Sequence, residues 1–339
     1  MEKPLVSLLT PCYNTAKYIH RLLDSVLNQT YSNIEMFVID DGSTDNSAEV
    51  IKGYINKFQN KGFSLTYVHQ ENSGQSVAIK NGLAYINGKY LAWPDSDDFY
   101  AADNAIEKMV DELEKSSEEF AMVRTMQQIL DENTLQIKGY NGNNVKHFED
   151  KTLFEDCLFA KNGYFFVPGS YMADVQALKS SFVWPIYAEK NAGQNWQLML
   201  PILWNYKCIS INEVLYSVLC RKSSHSRGQY KGYEQTVVKI TTYRNTIIET
   251  LNKINNMNAD LLENYKAAIY KKYDGEFRNL AFQYGKRKDF YTLYEKQDQK
   301  TKKDKFMFIL VKFRLSILYC QIDRLYFAIK RRILKLFQS

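Results

Sequence analysis

A chain of 339 residues, 45% apolar and 24% charged, is long enough for one large or two smaller globular domains, and 15 Gly with 6 Pro exclude a collagenous or low-complexity protein. The net charge of +6 is unevenly spread: residues 300–339 carry +9 and the rest −3, so the basic balance belongs to a tail and not to a nucleic-acid-binding body. Five cysteines without a C-x-x-C pair argue against a disulfide framework or a thiolate zinc site, and for reduced thiols in a cytosolic protein.

The N-terminus, Met-Glu-Lys-Pro, does not read as a signal peptide. No apolar run approaches the ~18 residues of a membrane span. Residues 5–10 form a short apolar run stopped by Pro11, a buried-strand pattern. Asn14 and Thr15 then offer caps for a helix carrying Ile19, Leu22, Leu23, Val26 and Leu27 at helical spacing. Residues 34–39 read as a second strand, ended by Asp40-Asp41-Gly42-Ser43. A helix over 47–58, a strand over 65–69, a helix over 77–86 and a strand over 90–93 follow, the last halted by Pro94-Asp95-Ser96-Asp97-Asp98. Strand alternating with helix predicts a parallel sheet covered on both faces, with ligands bound at the carboxyl ends of its strands. Pro11 to Asn14, Asp40-Asp41 and Asp95 to Asp98 all fall there.

Beyond residue 100 the pattern is mixed. A helix over 101–116 and a strand over 120–130 are predicted, then a polar, turn-rich stretch over 131–150. Short strands and one helix near 195–204, interrupted at Pro201, occupy 160–225, and after Tyr230 the pattern is almost wholly helical. The chain divides on this reading into residues 1–226 and 227–339.

Two carboxylates on a tight turn, Asp95 and Asp97, suit Mg²⁺ or Mn²⁺ shared with phosphate oxygens. Asp41 is placed to accept a hydrogen bond from a base N–H or a ribose hydroxyl, and Tyr13 to stack on a base. The alternative is that such Asp and Ser residues only cap helices after strands. Two acidic clusters at the strand ends of one sheet weaken that alternative.

The stretch LVSLLTPCYNTAKYIHRLLDSVLNQTYSNIEMFVIDDGSTDNSAEVI, followed by HQENSGQSVAIKNGLAYINGKYLAWPDSDDFY, resembles a family 2 glycosyltransferase with the GT-A fold. The likeness is dense over residues 4–100 and looser to about 226. It is carried by P-x-Y-N, D-D-G-S-x-D, G-x-x-x-A and D-x-D segments in order. It implies a Rossmann-like α/β nucleotide-sugar-binding domain with a mixed central sheet, followed by a mostly helical region. Pro11 and Tyr13 would line the nucleobase pocket, and Asp41 would bind the base, usually uracil. Asp95 with Ser96 would lie near the ribose or diphosphate, and Asp97 would hold Mn²⁺ or Mg²⁺ on it. Gln75 and Lys80 lie where relatives approach the diphosphate, although relatives often carry Arg-Asn at Ile79-Lys80. Lys80 then supplies charge or is only a solvated helix residue. The segment from Arg221 to Ser226 resembles the basic stretch that closes over the diphosphate, with His225 a metal or phosphate ligand or an ordinary surface histidine.

Gln194-Asn195 departs from that pattern: many relatives have two acids there, one of them the general base, and an amide cannot take a proton at neutral pH. Glu189 is the nearest acid in sequence and the candidate base, with a plain surface role as its alternative. Trp196 is either an acceptor wall or a core residue.

In the tail, Val311, Leu315, Leu318, Ile322, Leu325, Ile329, Ile333 and Leu336 form one helical stripe over about 306–337. Lys312, Arg324, Lys330, Arg331 and Lys335 point away from it. Such a helix suits an anionic membrane surface, or else packs on the protein or on a second copy in a homo-oligomer. The implied function is inverting, metal-dependent transfer of a sugar, from a UDP-sugar or another nucleoside-diphosphate donor, to a glycan, lipid-linked or surface-polymer acceptor at the inner face of the plasma membrane. No nucleic-acid partner is expected. The alternative is a catalytically weakened sugar-nucleotide-binding subunit. A nucleotidyltransferase or dinucleotide-binding oxidoreductase is disfavoured, because the first strand runs into Thr-Pro-Cys-Tyr-Asn and not a glycine-rich phosphate loop.

Overall fold

The computed structural model describes residues 3–142, 152–221 and 230–336. Strands β1 (Val6–Cys12) and β2 (Ile34–Asp41) are buried at every position, as strands covered on both faces must be. β3 (Ser64–Gln70) pairs in parallel outside β2, and β4 (Tyr90–Ala92) pairs in parallel on the other side of β1. The register sets Cys12 beside Asp40 and Asp41 beside Gln70, so neighbouring strands end together. At the opposite end Glu35 is buried, and its carboxylate accepts hydrogen bonds from Ser7 Oγ at 2.6 Å and the Asn87 N–H at 2.7 Å.

Helices α1 (Ile19–Leu27), α2 (Ser47–Lys52) and α3 (Ile55–Lys61) place Leu22, Leu23, Val26, Ile51 and Phe58 in one core with Val6, Leu8, Met36 and Val38. Helix α4 (Gln75–Gly82) approaches β1 and β2 through Gly82, where a Cβ would stand 2.3 Å from Leu9 Cδ1. The helix expected over 47–58 is thus two. The chain leaves the first at Gly53, a poor helix residue, and the Tyr54 N–H turns back to the Ile51 carbonyl at 3.0 Å. α4 starts two residues earlier and stops four earlier than its periodicity suggests.

The sheet continues through β5 (Phe99–Tyr100), β6 (Phe120–Asp131), β7 (Ile137–Asn141), β8 (Tyr171–Asp174) and β9 (Lys207–Cys220), with helices α5 (Ala105–Lys115), α6 (Thr152–Phe159), α7 (Val175–Ser180) and α8 (Trp196–Asn205) between them. The strand order is β3-β2-β1-β4-β8-β6-β9-β5, with β7 on β6. β8 is antiparallel to β4 and β6, while β9 runs parallel to β6, which makes the sheet mixed. Three expectations from the sequence do not hold. The turn-rich 131–150 stretch contains β7, and one strand within 160–225 is not short: β9 has 14 residues. α8 also passes through Pro201 without ending; it is buried on nearly all sides from Gln197 to Leu203.

Compact packing divides the chain into Met1–Arg227 with Asn245–Leu262, and Gly228–Arg244 with Glu263–Ser339. The C-terminal helices are α9 (Gly232–Leu251), α10 (Ala259–Gln283), α11 (Arg287–Glu295), α12 (Lys302–Lys312) and α13 (Ser316–Leu336). The second unit has its own small core of Ala281, Phe282, Phe290, Met307 and Val311. An Arg278–Asp304 ion pair at 2.8 Å braces it, and Thr301 and Asp304 close a capping box at the start of α12. The single tail helix expected over 306–337 is broken. Arg314 adopts a left-handed φ of +60°, and the Leu315 N–H bonds back to the Leu310 carbonyl at 2.7 Å, a Schellman-type stop made without glycine.

Candidate active site

The turn after β1 is strapped to the turn after β2. Asn14 takes a left-handed φ of +53°, which asparagine tolerates better than most residues. Its Oδ1 accepts the Thr44 N–H at 2.8 Å, its own N–H donates to Ser43 Oγ at 2.9 Å, and the Thr15 N–H donates to Ser47 Oγ at 3.0 Å. Pro11 is buried in β1, while Tyr13, two residues on, is 50% exposed at the rim.

The two acids ending β2 have separate tasks. Asp40 accepts from the Ser43 N–H at 2.9 Å and the Tyr67 hydroxyl at 2.6 Å. Burial pushes its carboxyl up, but these hydrogen bonds outweigh burial and hold it below its ordinary value. Asp41, only 3% exposed, receives Gln70 Nε2 at 2.7 Å and the N–H groups of Ser73 and Gly74, each at 2.8 Å. Its side chain therefore fixes the loop that leads into α4.

The acidic turn after β4 is the centre of the site. Asp95 Oδ1 accepts Gln75 Nε2 at 2.9 Å, from the first residue of α4, and Gln194 Nε2 at 2.6 Å. Burial, and then the neighbouring Asp97 charge, push the Asp95 carboxyl up to about 7. The same causes raise buried Asp98 well above its ordinary value, although it accepts the Leu219 N–H at 2.8 Å. Ser96 is buried between them. Asp97 makes a contact ion pair with Arg221, the residue that follows β9.

Among the described residues, no cluster of three or more His, Cys, Asp or Glu side chains could hold a metal alone. Mg²⁺ and Mn²⁺ bound with nucleotides commonly need only one or two carboxylates, the rest of the shell being phosphate and water. Asp97, with Asp95 in the same turn, fits a divalent ion held jointly with a diphosphate.

The remaining expected residues lie as follows. Lys80 is exposed in the last turn of α4, with no ion pair among the described residues. Glu189 is held through its main chain: Ser76 Oγ donates to its carbonyl at 2.7 Å and accepts its N–H at 3.0 Å. Its carboxylate accepts the Tyr187 hydroxyl at 2.9 Å, and no described hydrogen bond links it to Asp95 or Asp97. Asn195 stands at the N-cap of α8, and its Oδ1, like Gln194 Oε1, is buried without a described partner. Trp196 is anchored by its Nε1–H on the Cys157 carbonyl at 3.0 Å, with Phe166 5.0 Å from its ring. His225 lies outside the described residues.

The fold thus brings Asp41, Gln75, Asp95 and Asp97 to one edge and adds contacts that sequence reasoning missed. Ser76, which clasps the Glu189 main chain through both its N–H and its carbonyl, carried no signal beyond its place two residues after Gly74. Gln194 stood out as a departure, but its bond to Asp95 spans 99 positions and has no local trace. The resemblance sets the segment beginning at Arg221 over the diphosphate; the direct Asp97–Arg221 ion pair, 124 positions apart, has no local trace.

Parallel strand ends bearing two acidic turns, extended by a mixed sheet that returns Arg221 to the second turn, make an α/β fold of the GT-A type. Residues 7–172, just under half of the chain, match the family model described as Glycosyl transferase family 2. Glycosyltransferase GlyA of Streptococcus pneumoniae is 40% identical over 98 residues, covering 29% of this chain and 14% of that protein. The chain spans between 14% and 40% of the length of the curated relatives it matches. In structure it is similar to S. aureus TarS 1–349 in complex with UDP-GlcNAc, with a TM-score of 0.57 at 17% identity, over 92% of this chain and 81% of that one. It is also similar to the mannosyltransferase PcManGT of Pyrobaculum calidifontis in complex with GDP-Man and Mn²⁺, with a TM-score of 0.51 at 13% identity, over 94% and 87% of the two chains.

Proposed function

We propose that this chain transfers a sugar, with inversion, from a UDP-sugar to a hydroxyl of a glycan, lipid-linked or surface-polymer acceptor. The observation that carries the reading is the Asp95-Ser96-Asp97 turn, set at the end of a parallel strand beside the Asp41-clamped loop. Pro11 and Tyr13 line the base pocket, and Asp97 holds Mn²⁺ or Mg²⁺. The bound ion supplies positive charge to the departing diphosphate. Gln75 and Gln194 together orient Asp95, leaving its second oxygen for the ribose or the sugar. Glu189 is the acid assigned to take the acceptor proton. His225 and Lys80 complete the charge around the diphosphate.

The test is a donor screen by nucleoside diphosphate release, with Mn²⁺ or Mg²⁺ and a panel of UDP-, GDP- and dTDP-sugars. Metal-dependent turnover of one donor is expected. A second reading, a sugar-nucleotide-binding subunit supporting a partner transferase, is favoured by the amides at Gln194-Asn195. It predicts tight, metal-dependent UDP binding with no turnover even when membrane acceptors are supplied.

We place the protein at the inner face of the plasma membrane, in surface-polysaccharide synthesis. No described helix is long and apolar enough to cross a membrane. Helix α13 instead exposes Ile322, Leu325, Tyr326 and Phe327, at 59%, 62%, 59% and 46%, in a strongly basic segment. The full chain should float with phosphatidylglycerol-rich vesicles and not with phosphatidylcholine vesicles. Changing Ile322 and Leu325 together to Asp should weaken this about a hundred-fold or more, since each apolar side chain withdrawn from water contributes about 1.5–3 kcal/mol. Unchanged flotation, or a concentration-dependent dimer that the double change dissolves, would remove the membrane from this account.

A further inference from the structure

Asp97 and Arg221 face each other with side chains only 16% exposed, so neither charge is solvated as it would be at an open surface. The tertiary structure delivers Arg221 to this place. Tyr216 and Ser217 of β9 pair with β5, directly after the acidic turn, and the Leu219 N–H is fastened to Asp98 at 2.8 Å. Arg221 follows two residues later. Its guanidinium lies over the Tyr18 ring at 4.9 Å, a cation–π contact that favours the positive group in this position. Its Nε–H is buried and has no hydrogen-bond partner among the described residues. The turn carries Asp95, Asp97 and Asp98, and Arg221 is the cation that opposes them in the described structure.

We propose that Arg221 is the resident counter-ion of Asp97, and that it makes entry of a divalent cation conditional on a nucleoside diphosphate. This rests on the reading of Asp97 as the metal-holding carboxylate. A free divalent ion approaching Asp97 meets a guanidinium already paired with it and must displace that charge with nothing to receive it. A diphosphate arriving with the ion offers Arg221 new oxygen acceptors, in the planar, multidentate geometry that guanidinium groups favour. The exchange then conserves charge pairing: Asp97 passes from Arg221 to the cation, and Arg221 passes from Asp97 to the phosphates. The unspent Nε–H adds a donor that only the second arrangement uses. Arg221 acts here as a positioning residue that sets the order of binding.

The test is a titration of the full chain with Mn²⁺, followed by electron paramagnetic resonance and calorimetry, with no ligand, with uridine and with UDP. In the natural protein, Mn²⁺ alone should bind weakly, uridine should not change this, and UDP should tighten it more than ten-fold. Arg221→Gln removes the charge and should tighten Mn²⁺ binding without nucleotide about ten-fold, while shrinking the gain from UDP. Arg221→Lys keeps a positive charge and should restore the conditional behaviour. Equal Mn²⁺ affinity of the natural protein and Arg221→Gln without nucleotide overturns the proposal. So does a natural protein whose Mn²⁺ affinity UDP leaves unchanged, a result that needs no variant to fold. If UDP and Mn²⁺ bind together and Asp97→Ala leaves that site intact, the reading of Asp97 fails and not merely the role of Arg221.

Discussion

Replacing Asp97 with Ala is expected to reduce metal-dependent donor hydrolysis about 10²–10³-fold, the equivalent of about 3–4 kcal/mol of barrier at roughly 1.4 kcal/mol per decade. On the proposed function the protein would supply few ligands, with no self-sufficient cluster among the described residues, so losing one carboxylate would remove most of its hold on the cation. The substitution also frees Arg221 from its ion pair. Metal-free UDP binding should therefore survive, because the unpaired guanidinium still attracts phosphate. Comparing UDP affinity with and without Mn²⁺ separates the two effects. Simultaneous loss of metal-free UDP binding, with the fold intact by circular dichroism, would count against the assignment of Asp97 to the metal.

Asp41→Ala should cost both stability and nucleotide affinity. Four donors from the 70–74 stretch converge on this carboxylate, two of them main-chain N–H groups at 2.8 Å and the others the side-chain amides of Gln70 and Asn72. Leaving two buried or half-buried N–H groups unpaired costs about 2–4 kcal/mol in total. For a unit of this size that corresponds to a fall in Tm of roughly 5–15 °C. Gly74 sharpens the effect. Its φ is +95°, and a Cβ there would lie 2.0 Å from the Lys190 carbonyl oxygen, so the loop has little room to find another path. Gln75, the next residue, holds Asp95, and the disturbance should reach the diphosphate side of the site. Asp41→Asn preserves volume but offers an amide to facing N–H groups, and should recover little. A melting temperature within a degree of the natural protein would mean that Asp41 does not clamp the loop and matters only as a ligand contact.

The strands of the first half were legible because burial on both faces leaves a continuous apolar run, and residues 34–39 show one. The acidic turns were legible for the complementary reason: charged residues cannot continue a buried strand, so Asp40-Asp41 and Asp95 to Asp98 mark its end. Helix boundaries were less legible. Gly53 breaks one amphipathic pattern and Arg314 breaks another, yet neither interrupts the spacing of apolar residues from which a helix is read. β7 was missed because its sequence, IKGYN, is largely exposed and lacks apolar alternation.

Residue types and their order by themselves determined the parallel strands of the first half, the strand-end location of the site and the presence of two acidic turns, because those follow from burial, periodicity and charge along the chain. What each acid touches was decided only by tertiary structure. Asp41 meets Ser73 and Gly74, Asp95 meets Gln194, Asp98 meets Leu219, and Asp97 meets Arg221. These partners lie from about 30 to more than 120 positions away. The strand order carries β9 back to the acidic turn, and nothing in the spacing of one segment records which distant segment will supply its counter-charge.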